Sequence, residues 1–160
     1  MLPKLCRLGW IIGIMGIVTL LLRPYHDGAL RYGLPASILC LWSTVLISLW
    51  ANRFWRVGLI ALPLIAVLPF LLPGKLLDSV ALRAGYVEGL RGFDGVGYIW
   101  GGESSRGIDC AGLPRRAFRD ALFHQGVTGM NGDAFREWAR QWWFDTRAKA
   151  MGAGYRGFPR

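Results

Sequence analysis

Histidine and acidic side chains are scarce in this 160-residue chain, and both scarcities limit what the protein can be. Two residues are histidine and ten are aspartate or glutamate, against nineteen lysines and arginines, so the net charge is +9. Between residues 8 and 73 the only acidic residue is Asp27, whereas charges recur every few residues after Gly74. An ordinary soluble domain carries charges along its whole length. We therefore divide the sequence into a first part, residues 1–73, and a second part, residues 74–160.

Cysteine is also rare, and its pattern argues against several kinds of site. Cys6, Cys40 and Cys110 cannot all pair within one chain, and their spacing matches no zinc-binding pattern. We therefore predict no disulfide framework, no metal site and no cofactor. Cys40 lies inside an apolar run, where it is expected to act as a small hydrophobic residue.

The positive charge raises nucleic acid as a possible partner. In the first part, however, the basic residues flank apolar runs, as they do in membrane anchors. In the second part they are scattered among acidic residues, with no run longer than Arg115 and Arg116. These residues are expected to form a solvated face or to attract an anionic polymer. The charge pattern therefore predicts a lipid bilayer as a partner and no nucleic acid.

Three long apolar runs occupy residues 8–22, 34–51 and 57–73. Because a membrane-spanning helix needs about 20 apolar residues, the runs predict three transmembrane helices, of which the first is short. The tight link between the second and third runs holds two arginines and two aromatic residues, which predicts a helical hairpin with its tip at the lipid headgroups. A cleaved signal peptide is disfavoured because no small-residue cleavage site follows the first run. A buried soluble bundle is disfavoured because its helices would carry a polar face.

The density of basic residues in the loops favours an N-terminus inside the cell. The link of residues 52–56 carries two arginines in five positions, whereas the longer loop of residues 23–33 carries two arginines and Asp27. With three spans, this orientation places residues 74–160 on the far side of the membrane.

The second part begins with a helical pattern and continues into a glycine-rich loop. Apolar residues spaced by three and four predict an amphipathic helix over residues 75–90. Asp109 suits the N-cap of a helix that runs from Cys110 to about His124. A helix N-terminus stabilises a thiolate, and its backbone N–H groups can donate to an oxyanion, so Cys110 is a candidate nucleophile. The alternative is that Cys110 is an inert, packed residue.

Two segments around Cys110 resemble the paired signature of a known family. They read Gly-Tyr-Ile-Trp-Gly-Gly over residues 97–102 and Gly-Ile-Asp-Cys-Ala-Gly-Leu over residues 107–113. In order and separation they are similar to the signature of the NlpC-type (NlpC/P-sixty) cell-wall peptidases, a bacterial branch of the papain-like cysteine peptidases. The resemblance covers roughly residues 79–126. It implies a papain-like α+β domain that hydrolyses peptidoglycan stem peptides, typically beside D-glutamate and a diamino acid. In this chain that domain would follow the α-helical membrane region indicated by the three apolar runs.

The resemblance also implies roles for individual residues. Cys110 matches the nucleophile, and Tyr98 matches a tyrosine that lines the site near the scissile carbonyl. Asp109 matches an acidic residue that helps hold the free amine of the substrate, and we assign the substrate carboxylate to Arg106. The implied location is the cytoplasmic membrane of a bacterium, with the second part in the periplasm or outside the cell.

The sequence lacks two features of the family, a histidine base and the sheet that carries it. Family members usually have serine where Ala111 stands, and Pro114 falls early in the nucleophile helix. A thiol nucleophile needs a nearby imidazole, which the family takes from a later strand. Here no histidine follows His124, which lies about 21 Å from Cys110 along a helix. His26 belongs to the loop between the first two apolar runs.

No alternating strand pattern follows Gly126, and residues 133–151 predict another helix. We therefore expect an incomplete peptidase domain that is mostly helical because its sheet is missing, as in a fragment or a degenerate relative. It is expected to have no peptidase activity of its own. The alternative is a non-enzymatic membrane scaffold or interaction protein.

Overall fold

The computed structural model describes residues 2–144, with side chains from residue 6 onward. The chain divides into two compact units, which meet between Leu68 and Pro69. It is mostly helical, with two helices long and apolar enough to cross a membrane and one small two-stranded sheet.

The first unit is built from long helices. Helix α1 spans Leu2–Leu22, α2 spans Gly28–Ser48 and α3 spans Arg53–Leu71. The carboxylate of Asp27 caps α2 by accepting a hydrogen bond from the backbone N–H of Leu30 at 3.0 Å. No residue of α2 or α3 is buried in the protein, and both helices are long and apolar enough to cross a membrane. The described side chains of α1, Cys6–Leu22, form a shorter apolar helix.

Helices α1 and α2 approach each other closely along a stripe of small residues. Side chains at Gly9, Gly13 and Gly16 would collide with Thr44, Leu41 and Ser37 of α2. Glycines three and four residues apart let two helix backbones come together, which is a common form of packing between membrane helices. A further hydrogen bond, from the indole N–H of Trp42 to the carbonyl of Leu59 at 3.0 Å, joins α2 to α3.

The second unit places its site on a small helical core. Helix α4 spans Ser79–Arg91, α5 spans Gly112–Gly129 and α6 spans Gly132–Trp143. Helix α5 packs against both α4 and α6, and Phe118 and Leu122 of α5 form the centre of the core. Residues from the other elements surround this pair, namely Leu77, Leu82, Tyr86, Ala111 and Trp138.

The helices of the second unit differ at their ends from the predicted ones. The first was predicted over residues 75–90 but begins at Ser79, because the Asp78 carboxylate caps it by accepting from the N–H groups of Val80 and Ala81. The nucleophile helix was predicted from Cys110 to about His124 but begins at Gly112 and continues to Gly129. The last was predicted over residues 133–151; α6 ends at Trp143, and residues 145–151 lie outside the described part.

The sheet is a two-stranded ribbon. Strand β1, Glu103–Ser104, pairs antiparallel with β2, Gly107–Ile108. An isolated parallel bridge joins Tyr98 to Ile108. Within residues 2–144 this is the whole of the sheet structure, so the papain-like arrangement stays a prediction.

Candidate nucleophile site

The two halves of the predicted signature lie side by side in the structure. The backbone N–H of Ile108 donates to the carbonyl of Gly97 at 3.1 Å, and the N–H of Ile99 donates to Ile108 at 3.2 Å. The N–H of Asp109 donates to the carbonyl of Gly102 at 3.0 Å. Hydrogen bonds between backbones therefore join residues 97–102 directly to the segment that carries Cys110.

Asp109 fixes the loop that presents Cys110. One carboxylate oxygen accepts from the N–H of Gly101 at 2.8 Å, and the other accepts from the N–H groups of Ala111, at 2.9 Å, and Gly112. Gly101 has a φ of +73°, which glycine adopts without strain. A side chain at Gly112 would collide with the carbonyl of Gly102. Asp109 was predicted as the N-cap of a helix that starts at Cys110, but α5 starts at Gly112 and its N-cap residue is Ala111. The Asp109 carboxylate instead ties the preceding turn to the start of α5.

Cys110 is exposed and lies two residues before the first residue of α5. Its backbone N–H makes no hydrogen bond within the described residues, so it is available to an oxyanion. The N–H groups of Ala111 and Gly112, however, are taken by the Asp109 carboxylate. An anion at this position offsets the positive end of the helix, which was expected to stabilise the thiolate. Pro114 lies in the first turn of α5, where proline is tolerated.

The remaining predicted site residues lie at the surface. Tyr98 is 63% exposed, and the neighbouring Trp100 is 81% exposed. Arg106 is exposed in the turn between β1 and β2, where its backbone N–H donates to the Ser104 hydroxyl at 3.2 Å. The backbone pairing holds Tyr98 and Cys110 on adjoining segments, as expected for one site. The substrate-binding roles of Asp109 and Arg106 stay predictions.

A buried ion cluster lies behind this surface, and sequence reasoning missed it. The carboxylate of Glu103 binds the Arg115 guanidinium through two hydrogen bonds, of 3.0 and 2.7 Å, and lies 3.3 Å from Arg119. All three side chains are almost fully buried. Burial lowers the pKa of Arg119, and the charge of Glu103 opposes that shift. The cluster attaches strand β1 to helix α5.

The expectation that all basic residues of the second part face solvent is therefore wrong for Arg115 and Arg119. Both share a helix face with Phe118 and Leu122, since these four residues are spaced by three and four. Arg116, one position away, makes an exposed ion pair with Asp120 at 3.0 Å. The shared periodicity with core residues was the sequence signal for burial.

No histidine lies in the loop, the ribbon or the first turns of α5. His124 is exposed on α5, about 18 Å along the helix from Gly112. His26 belongs to the first unit, in the loop between α1 and α2. Among the described residues, no three histidine, cysteine or acidic side chains are grouped to hold a metal ion.

No family model, curated protein or solved structure matches this chain. We therefore base the proposed function on the residues of the two segments around Cys110 and on their arrangement.

Proposed function

We propose that this chain is a membrane-anchored homologue of bacterial cell-wall stem-peptide hydrolases, with Cys110 in the position of the nucleophile. Its second unit binds the stem peptide at the surface formed by Tyr98, Trp100 and Cys110. As this chain stands, it does not cleave the peptide by itself.

The observation that carries the proposal is the joined pair of signature segments. Asp109 links both by hydrogen bonds and leaves the thiol of Cys110 exposed at the surface. The backbone of Tyr98 pairs with that of Ile108, which lies two residues before Cys110. An exposed thiol with an unused backbone N–H and adjoining aromatic side chains suits a site that receives an extended peptide, since aromatic residues supply much of the contact area in binding sites.

The absence of a base argues against turnover. A cysteine nucleophile is activated by an imidazole within hydrogen-bonding reach, at about 2.6–3.2 Å. The chain has two histidines, and the one in this unit is far from Cys110 along α5. Glu103 is the nearest buried carboxylate in sequence, but it is held by Arg115 and Arg119. Within the described part of the second unit, no imidazole therefore lies within hydrogen-bonding reach of the thiol.

The proposal includes three membrane crossings, an N-terminus inside the cell and the cytoplasmic membrane of a bacterium. Helix α1 has 21 residues. At 1.5 Å per residue its apolar part, Cys6–Leu22, reaches about 25 Å, somewhat less than the hydrocarbon core of about 30 Å. Its glycine stripe packs along α2, which supports a crossing beside that helix. The second unit then faces the periplasm or the cell exterior, where the peptidoglycan lies.

Protection of Cys110 from alkylation tests the binding proposal. The full chain in detergent micelles is treated with iodoacetamide, with and without a synthetic stem peptide containing D-glutamate and a diamino acid, and the modified cysteines are mapped by mass spectrometry. The proposal predicts slower alkylation of Cys110 in the presence of peptide. Cys6 and Cys40 of the first unit are internal references and should be unaffected.

Two matched variants complete this experiment. Tyr98→Ala should remove most of the protection, whereas Tyr32→Ala, which changes an equally exposed tyrosine of the first unit, should leave it intact. If the peptide protects neither the parent chain nor the variants, the second unit is a scaffold or interaction module and the proposal is wrong.

A further inference from the structure

The turn between α5 and α6 is hydrogen-bonded to the segment that directly follows α3. The side-chain amide of Asn131 pairs with the backbone of Lys75 on both sides, accepting from its N–H and donating to its carbonyl at 3.0 Å each. The ammonium group of Lys75 donates to the carbonyl of Gly129 at 2.7 Å. The N–H of Gly132 donates to Pro73 at 3.2 Å. Asn131 is buried, so its two hydrogen bonds to Lys75 are partly shielded from water, whereas the bond of the Lys75 ammonium group is exposed.

The start of α6 is attached to the end of α3 as well. The guanidinium of Arg136 donates to the carbonyls of Phe70, at 2.7 Å, and Leu72, at 3.3 Å. The rings of Phe70 and Phe135 lie 6.1 Å apart, a packing distance for aromatic pairs. The carbonyls at the end of a helix lack partners within it, so these bonds also cap α3. We call this set of contacts the juxtamembrane clasp.

Three apolar side chains project into solvent at the clasp. Leu71 is 72% exposed, Leu76 is 99% exposed and Met130 is 59% exposed. Each is adjacent in sequence to a residue that makes a clasp hydrogen bond. Two cations, Lys75 and Arg136, belong to the same contacts. Apolar side chains mixed with basic ones are the composition of surfaces that lie in the lipid headgroup region.

Met130 is also held in an unfavourable backbone conformation. It caps α5 with a φ of +46°, in the left-handed region that glycine or asparagine usually fills at a helix end. A residue other than glycine costs about 1–2 kcal/mol there. A methionine at such a position is consistent with a side chain that makes contacts of its own.

We infer that the exposed side chains of Leu71, Leu76 and Met130 dock on the lipid bilayer at the boundary between headgroups and acyl chains. This inference rests on the proposed crossing of the membrane by α3. Lys75 lies four residues beyond the end of α3, so the chain allows a separation of at most about 14 Å. The clasp thus keeps Met130 close to the point where α3 leaves the hydrocarbon, and its side chain enters the interface.

Cys110 lies at the end of α5 opposite to the clasp. The clasp lies at the C-terminal end of α5, and Cys110 lies just before its N-terminal end, about 25 Å away along the helix. A label on Cys110 is therefore a reference far from the docking residues.

Depth-dependent fluorescence quenching tests the inference on the full chain. Single cysteines at position 130 (Met130→Cys) and position 65 (Ile65→Cys) are introduced after Cys6→Ser, Cys40→Ala and Cys110→Ser substitutions. A third protein keeps native Cys110 as its only cysteine. Each is labelled with the environment-sensitive dye NBD. The proteins are reconstituted into vesicles of phosphatidylethanolamine and phosphatidylglycerol, with nitroxide quenchers attached near the headgroup or deep in the acyl chain.

The inference predicts that the shallow quencher reduces the fluorescence of the label at position 130 more than the deep one does. The label at position 65 should respond most to the deep quencher, and the label on Cys110 should be quenched less than that at position 130. Quenching at position 65 without quenching at position 130 above the Cys110 reference overturns the inference while leaving the α3 crossing intact. No quenching at position 65 overturns both. A blue-shifted but unquenched label at position 130 indicates cover by a second copy or another protein, which also overturns it.

Discussion

Replacing Glu103 by glutamine should lower the free energy of unfolding of the second unit. The loss should be much larger than is usual for a substitution that keeps the shape of the side chain. The substitution keeps the shape of the side chain and removes the negative charge that binds the buried guanidinium groups of Arg115 and Arg119. Removing one partner of a buried ion pair leaves an uncompensated charge, which costs about 3–5 kcal/mol. A small unit has about 5–15 kcal/mol of stability in total, so the loss is a large fraction.

Urea-dependent pulse proteolysis of the full chain in detergent micelles measures this loss, because cleavage within residues 69–144 reports unfolding of the second unit. Asp120→Asn is the matched control. Asp120 pairs with Arg116 on the exposed side of the same helix, and such pairs contribute about 0.3–0.5 kcal/mol. If Glu103→Gln costs no more than this control, Glu103 does not hold strand β1 to α5 and the reasoning about the cluster is wrong.

Two further predictions concern backbone strain and pH. Met130→Gly should raise the free energy of unfolding of the second unit by about 0.5–1 kcal/mol in the same proteolysis assay, because glycine relieves the left-handed conformation while losing more entropy on folding. Thr128→Gly, inside α5, should instead lower it by about 0.3 kcal/mol, because glycine has the lower helix propensity, and equal effects would contradict the strain. Burial raises the pKa of Tyr86 above its ordinary value. The folded state therefore retains the phenolic proton where the unfolded state has lost it, so stability should fall as the pH rises above about 10. Tyr86→Phe should reduce that fall, and an unchanged alkaline profile would contradict the assignment.

Features set by near neighbours in the sequence could be predicted. The apolar runs predicted helices where α1, α2 and α3 are found, and a helix was predicted close to where α5 begins at Gly112. Helix ends were less accurate, because α4 starts where the Asp78 carboxylate meets free N–H groups and not where the apolar pattern starts.

Features that join distant parts of the chain could not be predicted. Asn131 and Lys75 pair although they lie 56 residues apart in the sequence, and no periodicity in either segment indicates this pairing. The burial of Arg115 and Arg119 depends on Glu103, which approaches α5 only after the ribbon folds. A charged residue on an apolar helix face can be recognised as buried only when its ion-pair partner is known. For this reason these arginines were predicted to lie at the surface.

The most direct test of the central claim, an exposed nucleophile without a base, is a cleavage assay. The full chain and its Cys110→Ala variant, both reconstituted in lipid vesicles, are incubated with muropeptides and the products are analysed by mass spectrometry. We expect the parent chain and the variant to give identical product profiles, with no product that depends on Cys110. Release of a cleavage product by the parent chain and not by the variant would contradict it.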